Sequence, residues 1–212
     1  REILNLGDQP PANSLRSSLT DELSIIPLRI LFCMECNVAQ LGETVSPRYL
    51  FSEYIWATGT SQTTVAYSAK FLYEARRRCE KTQPYVIEIA SNDGTFLKRF
   101  KEVGARILGI DPAKNIAAEA TADGIETIAE FFDQGVARQL LERGGTADIV
   151  FARNVLPHAK DIHSILRGIT ILLDENGLGI IEFHDAQLIL EELHYDSIYH
   201  EHLFYFTLQT MA

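Results

Sequence analysis

The chain has 212 residues, of which 46% are hydrophobic and 23% charged, a composition typical of a soluble globular protein. At roughly 100–200 residues per domain, this length predicts one domain, or one domain with a small appendage. The 29 acidic and 19 basic side chains give a net charge of −10, which argues against nucleic acid as a partner, because nucleic-acid binders present a basic face. No apolar run approaches the roughly 18–20 residues of a membrane helix and no signal peptide is visible, so we expect no membrane partner and a cytoplasmic location.

The sequence of residues 1–62 predicts a small β-rich module, with part of a zinc-binding type of domain. They combine the turn-forming sequence Gly7–Pro11 with a short apolar run, Leu28–Cys33, and a Cys-x-x-Cys pair. Residues 63–84 predict a linking helix. Apolar side chains recur there at helical spacing, and the arginines Arg76–Arg78 follow where the helix dipole favours positive charge.

Residues 85–212 alternate short apolar strands with helices. The predicted strands are Tyr85–Ala90, Arg106–Asp111, Glu126–Ile128, Ala147–Ala152 and Gly179–His184, and the predicted helices are Thr95–Val103, Ala113–Asp123, Asp133–Arg143 and Asp161–Leu173. The aromatic-rich run Tyr199–Thr207 is a candidate sixth strand. This alternation predicts right-handed crossovers and a parallel sheet covered on both faces. The predicted fold class is α/β, a doubly wound, mostly parallel sheet with a small β-rich N-terminal module.

The loop after the first predicted strand is the candidate cofactor site, because ligands of doubly wound sheets bind beyond the carboxyl ends of the strands. It lacks the Gly-x-Gly-x-x-Gly pattern of dinucleotide-binding loops, which disfavours a nicotinamide oxidoreductase. Glu88 places an acid inside an apolar strand, which favours a cationic ligand group. Asp111 ends the second strand, where an acid can accept hydrogen bonds from both ribose hydroxyls. The alternatives are a locally paired Glu88 and an Asp111 that caps the helix beginning at Pro112.

Several longer phrases resemble one enzyme family. They are Glu88–Thr95, Gly109–Asn115, Asn154–Asp161 and Asp196–His202, together with Leu6–Asn13 and Cys33–Leu41. The family is that of the S-adenosylmethionine-dependent sugar C-methyltransferases, which act on nucleotide-linked 4-keto-6-deoxyhexoses and carry an N-terminal zinc-binding domain. The resemblance implies a class I methyltransferase fold for residues 85–212 and a role in deoxysugar biosynthesis. It also implies a C-terminal domain absent from this sequence, so we expect a fragment, in line with Arg1 in place of Met.

The resemblance implies that S-adenosylmethionine is the cofactor and assigns nine residues to it. They are Glu88, Ala90, Ser91, Asn92, Gly94, Asp111, Pro112, Phe132 and Asn154. Ala90 departs from the family pattern, which usually has glycine here, so its methyl group is expected to crowd the carboxylate of the cofactor. Phe132 follows Phe131, and such a pair after a strand is also typical of a hydrophobic core.

Cys33 and Cys36 lie where a short strand turns, as the thiolates of a zinc knuckle do. Two thiolates at this spacing can reach one ion, but a tetrahedral structural site needs four ligands. The family resemblance implies another Cys-x-x-Cys pair upstream of Arg1, so structural zinc would need cysteines outside this sequence. Redox chemistry is the alternative, without a thioredoxin-like context. Cys79 is expected to be a partly buried spectator.

The run Tyr199–His202 is the densest cluster of ionisable residues in the chain. The family resemblance implies carbon methylation beside a ketone, which needs a general base and donors for the developing enolate oxygen. We assign His202 as the base because histidine titrates near neutral pH, with Glu201 orienting it or holding substrate. The alternatives are a pair of histidine metal ligands and a polar loop with incidental histidines.

Three further side chains are candidate donors to the keto oxygen or to neighbouring hydroxyls: Tyr199, Tyr54 and His158. His158 follows the fourth predicted strand, at the end that faces the crevice. Tyr54 lies in an aromatic run and can equally be a packing residue. The enolate carbon would attack the methyl group in line, so positioning does much of the work. The chemical step implied by the resemblance requires no metal.

Two other functions stay open on the sequence alone. One is a non-catalytic or truncated cofactor-binding module, suggested by Ala90, by the missing cysteines and by the abrupt C-terminus. The other is a methyltransferase that acts on another small carbon acid. The nucleotide sugar remains the expected partner, and no feature of the sequence predicts the oligomeric state.

Overall fold

The structure, a computed structural model, describes residues 1–212 and divides into two compact units. The first unit contains Arg1–Leu50, Leu156–Lys160 and Phe183–Ala212, and the second contains Phe51–Val155 and Asp161–Glu182. The first unit is therefore assembled from three separate stretches of chain. The predicted division into residues 1–62, 63–84 and 85–212 runs differently, because the predicted linking helix lies in the second unit and residues 183–212 lie in the first.

The chain forms nine β-strands and eight α-helices. The strands are β1 (Glu2–Gln9), β2 (Ile26–Phe32), β3 (Ala39–Leu41), β4 (Tyr85–Ile89), β5 (Arg106–Ile110), β6 (Thr127–Ile128), β7 (Ala147–Arg153), β8 (Leu173–Glu182) and β9 (Phe204–Tyr205). The helices are α1 (Pro47–Phe51), α2 (Gln62–Arg76), α3 (Thr95–Glu102), α4 (Lys114–Ala122), α5 (Gln134–Gly144), α6 (Ile162–Leu172), α7 (Ala186–Glu191) and α8 (Leu208–Met211). None of these helices has the length and apolar character needed to cross a membrane.

The second unit is built on a five-stranded parallel sheet in the order β6-β5-β4-β7-β8. The chain runs from β4 outward to β5 and β6, and then continues through β7 and β8 on the other side of β4. The switch point of the sheet therefore lies between β4 and β7, and in such sheets it marks the ligand crevice. The predicted doubly wound parallel sheet is confirmed.

Aromatic side chains fill the core of the second unit. The Phe71 ring of α2 lies 5.4 Å from the Phe96 ring of α3 and 4.9 Å from the Phe151 ring of β7, measured between centroids. Phe96 and Phe100 face the core because they are four residues apart on α3. Burial of one such side chain contributes about 1.5–3 kcal/mol. Helix α2, predicted as a linker, is thus part of this core.

The first unit is built on an antiparallel sheet in the order β1-β2-β3-β9, which confirms a β-rich N-terminal module. The prediction that Tyr199–Thr207 forms a sixth strand of the parallel sheet is wrong. Only Phe204–Tyr205 is a strand, and it pairs with β3 through Ala39 and Gln40. The reason is packing, because Tyr205 is buried in a cluster with Leu28 and other apolar residues of β2 and β3.

Candidate active site

Four buried polar atoms at the carboxyl ends of β4 and β7 have no hydrogen-bond partner. They are Glu88 Oε2, Ser91 Oγ, Arg153 Nε and Asn154 Oδ1. Buried polar groups are nearly always paired, so this cluster at the switch point indicates a site for a polar ligand. The sequence predicted Glu88, Ser91 and Asn154 as site residues. It missed Arg153, which carries no motif or periodic signal.

Glu88 is the buried acid of this crevice, with only 2% of its surface exposed. Burial raises the pKa of its carboxyl group well above the usual range, and the Arg153 guanidinium opposes this rise. The acidic side chains of Asp111, Asp93 and Glu182 face it and raise the pKa further. A positively charged ligand group would relieve this repulsion, so the crevice favours a cation over a phosphate.

Asp111 joins the loop after β4 to the start of α4. Its Oδ2 accepts a hydrogen bond from the backbone N–H of Asn92 at 2.8 Å, and its Oδ1 accepts one from the backbone N–H of Ala113 at 2.9 Å. Burial raises the pKa of Asp111 although these two bonds oppose the rise. Helix α4 begins at Lys114 with Ala113 as its N-cap and has no side-chain cap, so Asp111 binds the residue before the helix and the capping alternative is wrong. Each carboxylate oxygen keeps a second lone pair, so ribose hydroxyls can still donate to it.

Asn92 holds residues 51–61, which we call the strap. Its Oδ1 accepts a hydrogen bond from the backbone N–H of Thr58 at 2.8 Å, and its Nδ2 donates to the backbone carbonyl of Trp56 at 2.9 Å. The amide that the family resemblance assigns to the cofactor is thus engaged with the strap.

Asn115, at the start of α4, holds the strap near its other end. Its Oδ1 accepts from the backbone N–H of Tyr54 at 3.1 Å, and its Nδ2 donates to the carbonyl of Tyr54 at 2.7 Å. The Tyr54 ring lies 6.0 Å from the Phe51 ring. Tyr54 belongs to the second unit. The first unit contains the other predicted catalytic residues, which are Tyr199, Glu201, His202 and His158.

The crevice loops use the left-handed backbone region repeatedly. Ala90, Asn92 and Asn154 have φ values of 53°, 51° and 53°, and Gly94 has 75°. Asparagine and glycine adopt this conformation readily, whereas alanine does so at a cost. A Cβ atom at Gly94 would also lie 2.8 Å from Ile125 Cγ2, so only glycine fits there. The family pattern of glycine in place of Ala90 thus has a backbone reason.

Phe132 and Pro112 are the remaining predicted cofactor residues. Phe132 is 9% exposed, and its ring packs so closely on α6 that a Cβ atom at Gly168 would lie 2.8 Å from it. This contact gives Phe132 a packing role, while the neighbouring Phe131 is 38% exposed. Pro112 directly follows Asp111 in the short link between β5 and α4.

Tyr199–His202 is a turn, not the alternating strand considered from the sequence. The turn brings two of the predicted residues together, because Tyr199 Oη donates to His202 Nε2 at 3.1 Å. His202 Nδ1 lies 2.7 Å from the carbonyl oxygen of Ser197. Since a carbonyl can only accept, the proton sits on Nδ1, and Nε2 keeps the lone pair that a base requires.

His158 and Glu201 lie beside this pair. The His158 ring is 4.8 Å from the His202 ring, and its Nδ1 donates to the backbone carbonyl of Glu201 at 2.8 Å. The Glu201 side chain is 1% exposed and accepts a hydrogen bond from Asn13 Nδ2 at 2.5 Å. Sequence reasoning missed Asn13 as a site residue, although it ends one of the phrases that carry the family resemblance.

Burial governs the titration of this cluster. It lowers the pKa of His202 to about 4 and that of His158 to about 3. His184, whose ring lies 5.7 Å from that of His202, adds to the lowering. Burial and the Glu201 carboxylate raise the pKa of Tyr199. At neutral pH the first unit therefore presents an imidazole lone pair next to a protonated phenol.

The Cys-x-x-Cys pair forms a tight turn directly after β2. The backbone N–H of Asn37 donates to the carbonyl of Cys33 at 3.0 Å, and the backbone N–H groups of Cys36 and Glu35 lower the pKa of the Cys33 thiol. All three cysteines are free thiols. No group of three or more histidine, cysteine or acidic side chains is arranged to hold a metal ion. The turn thus brings the side chains of Cys33 and Cys36 within hydrogen-bonding distance of each other.

Comparison of the sequence with protein families identifies both parts of the chain. A family described as "Methyltransferase domain" matches residues 62–212, which is most of the chain. The chain belongs to the methyltransferase domain family. Residues 1–51 of this methyltransferase-domain protein match a second family, described as "Putative zinc binding domain".

Two curated proteins resemble the methyltransferase-domain chain over different lengths. The C-methyltransferase NovU of Streptomyces niveus is 30% identical over 214 residues, which cover 100% of this chain and 51% of that protein. The ubiquinone biosynthesis O-methyltransferase of Azorhizobium caulinodans is 28% identical over 98 residues, 45% of this chain and 38% of that protein. The chain thus spans about half of the length of NovU.

Solved structures share the fold. A SAM-dependent methyltransferase from Archaeoglobus fulgidus superposes with a TM-score of 0.57 at 14% identity, covering 71% of this chain and 64% of that one. The plantazolicin methyltransferase BpumL, in complex with a pentazolic desmethylPZN analogue and SAH, superposes with a TM-score of 0.56 at 15% identity, covering 71% of this chain and 62% of that one. At this identity the likeness establishes the fold of the methyltransferase domain.

Replacing Ala90 with glycine should stabilise the methyltransferase domain by about 1 kcal/mol, because glycine adopts the left-handed conformation without the steric cost that alanine bears. Urea unfolding measures the change. Ala113→Gly is the matched control, since Ala113 is 2% exposed with a φ of −78° and should lose stability on substitution. A loss of stability in Ala90→Gly as well would contradict the strain at this position.

The stability of the protein should fall in acid partly through His158. Its folded pKa of about 3 lies below the usual 6.5, so as pH drops below about 6.5 the unfolded state takes up a proton that the folded state refuses. Wild type should therefore lose about 1.4 kcal/mol more per pH unit than His158→Asn between about pH 6 and 4.5. Urea unfolding across this range measures both slopes, with His194→Asn, an exposed histidine, as the control. Equal slopes for wild type and His158→Asn would refute the buried neutral state.

Proposed function

We propose that this chain carries the cofactor site and the general base of an S-adenosylmethionine-dependent C-methyltransferase. The reaction would place a methyl group on the carbon next to the ketone of a nucleotide-linked 4-keto-deoxysugar, through an enolate. The observation that carries the proposal is the pairing of Tyr199 with a neutral His202 whose tautomer is fixed by Ser197. The name of the Streptomyces niveus relative supports methylation at carbon. The sequence phrases shared with the sugar C-methyltransferases support the substrate class.

S-adenosylmethionine would bind at the carboxyl ends of β4 and β7 and supply an electrophilic methyl group when bound. The orphaned polar atoms fit such a ligand, since it carries an ammonium, a carboxylate and ribose hydroxyls but no phosphate. Glu88 would pair with the ammonium group, and Asp111 would accept from the ribose. Ser91 and Asn154 offer buried oxygens for further contacts. BpumL, which shares the fold, was solved in complex with SAH, which supports an S-adenosyl ligand.

His202 would remove the proton from the carbon beside the ketone. Because Nδ1–H is held by the Ser197 carbonyl, Nε2 is the nitrogen that accepts the proton. The imidazolium that forms is disfavoured by burial, and the negative enolate formed in the same step compensates for this. Attraction between the two charges is strong at short range in a site of low dielectric.

Tyr199 would donate to the enolate oxygen. Its hydroxyl donates to Nε2 in this structure, so when a substrate places its acidic C–H at this nitrogen, the phenol proton would turn from Nε2 to the enolate oxygen. His158 differs from the expectation. Its Nδ1–H is engaged with the Glu201 carbonyl, so the neutral ring has an acceptor at Nε2 and suits a sugar hydroxyl better than the keto oxygen. Glu201, held by Asn13, would bind another hydroxyl, and Tyr54 of the strap stays a candidate donor.

A cofactor-binding module without catalysis is the second candidate function. The left-handed Ala90 favours it, because the methyl group stands where the family usually has glycine. Calorimetry with S-adenosylmethionine and a methyl-transfer assay distinguish the two, since a module of this kind binds the cofactor and turns over no sugar.

We also propose structural zinc at Cys33 and Cys36, with further ligands from outside these residues. The match of residues 1–51 to a family named for zinc binding supports it, and so does the turn in which N–H groups point at the Cys33 sulfur. Both thiolates would face the ion at about 2.3 Å.

His202→Asn should reduce methyl transfer by at least about 100-fold, because the variant lacks the base, while the affinity for S-adenosylmethionine stays within about twofold. Product mass spectrometry with a panel of nucleotide-linked 4-keto sugars measures turnover, and calorimetry measures affinity. His194→Asn, at an exposed histidine, is the matched control and should keep full activity. In wild type with saturating S-adenosylmethionine, kcat/KM for the sugar should stay constant from about pH 7.5 to 5.5, because the pKa of His202 lies near 4. Near-normal turnover of His202→Asn would overturn the assignment.

Zinc should be released from the full-length protein by a thiol-reactive reagent, at about one ion per chain. Cys33→Ser should lose this zinc because it removes a thiolate ligand, whereas Cys79→Ser, which alters a core-facing thiol, should keep it. A dye that reports free zinc quantifies the release. Protein that contains no zinc, or equal zinc in both variants, would contradict the proposed site.

A further inference from the structure

The Arg153 side chain is fixed among aromatic rings at the end of β7. Its guanidinium carbon lies 3.3 Å from the centroid of the Phe96 ring, with Tyr67 at 5.7 Å and Phe71 at 5.9 Å. Only 12% of the side chain is exposed. Stacking on aromatic faces stabilises a guanidinium and limits its rotation. The positive charge of Arg153 is therefore held at one place in the crevice.

Glu182, at the end of β8, completes this arrangement. Its Oε1 lies 3.1 Å from Arg153 Nη2, and its Oε2 accepts a hydrogen bond from the Tyr67 hydroxyl at 2.6 Å. One carboxylate thus pairs with one side of the guanidinium. Nε of Arg153, by contrast, is buried and has no partner.

Arg153 is the one cation among the charged groups that face Glu88. The others are acidic: Asp111 directly after β5, Asp93 in the loop after β4, and Glu182 at the end of β8. The strand register places the three groups on one face of the sheet, because Arg153 lies two residues beyond the β7 partner of Glu88 and its own β8 partner is Glu182. The two carboxylates and the arginine together carry one net negative charge when both acids are ionised. Such a group attracts one further cation, and without the arginine the acids would repel one another into protonated forms.

We propose that Arg153 is a positioning residue of the cofactor site: caged by aromatic rings and paired with Glu182, it keeps Glu88 available as an anion for the ammonium group of the ligand. This inference rests on the proposed function, because it takes the ligand to be an S-adenosyl amino acid. Arg153 itself acts through Glu88 and takes no part in the chemical step.

The proposal predicts opposite pH shifts for the two partners of the ion pair. Arg153→Met leaves Glu88 among acids alone, so the pH at which the ligand reaches half-maximal affinity should rise by about one unit or more. Affinity at about pH 7 should fall about tenfold and recover as the pH is raised. Glu182→Gln removes one repelling acid and leaves the guanidinium to Glu88, so the same midpoint should fall. Glu88→Gln should abolish this pH dependence.

Calorimetric titration of the full chain with S-adenosylhomocysteine, from about pH 5.5 to 9, tests these shifts without turnover. Arg99→Met is the matched control, since Arg99 of α3 pairs with Glu102 and donates to Ser68 of α2 outside the crevice, and its binding should follow wild type. Circular dichroism checks folding, and should Arg153→Met not fold, the direction of the Glu182→Gln shift decides.

The possible results distinguish a failure of the role of Arg153 from a failure of the proposed function. Loss of affinity in Arg153→Met by the same factor at every pH, or an upward shift in Glu182→Gln, would overturn the role of Arg153 while leaving the cofactor site intact. Wild type that binds no S-adenosylhomocysteine at any pH would overturn the proposed function and this inference with it.

Discussion

The crevice of the second unit depends on the carboxylate of Asp111. Its two oxygens bind the backbone N–H groups of Asn92 and Ala113, and so fix the loop after β4 against the start of α4. The loop in turn orients the Asn92 amide that binds the strap. Buried hydrogen bonds to a charged acceptor are among the stronger ones in proteins. One side chain therefore determines the geometry of a strand end, a helix start and a surface segment.

Burial favours the uncharged form of the key ionisable group in both candidate sites, but this helps the function of only one of them. In each unit it favours the uncharged form of a buried group, the acid of Glu88 and the imidazole of His202. For a base this is useful, since only the neutral ring can take a proton. For a carboxylate that is to meet a cation it is a disadvantage, and the fixed charge of Arg153 opposes it.

Local patterns explain how far the sequence predicted the structure. The inner strands β4, β5 and β7 are short runs with buried residues, each followed by a helix, so the order of these elements could be read from the sequence pattern. The pairing of Phe204–Tyr205 with β3 could not, because two aromatic residues fit either sheet and the partner is distant in sequence. The hydrogen bond between Asn13 and Glu201 could not be predicted either, because the two residues are 188 positions apart in the sequence. The role of Arg153 could not be predicted because a single arginine at a strand end carries no pattern.

The first unit consists of three separate segments of the chain, and this limits where homologous genes can recombine. The two family matches meet between residues 51 and 62, yet residues 156–160 and 183–212 fold with the N-terminal sheet. An exchange of N-terminal modules between homologous genes at that junction would replace β3 and Asn13 but keep β9 and Glu201. The N-terminal residues and residues 183–212 are therefore expected to evolve together, because a change in one of them has to stay compatible with the other.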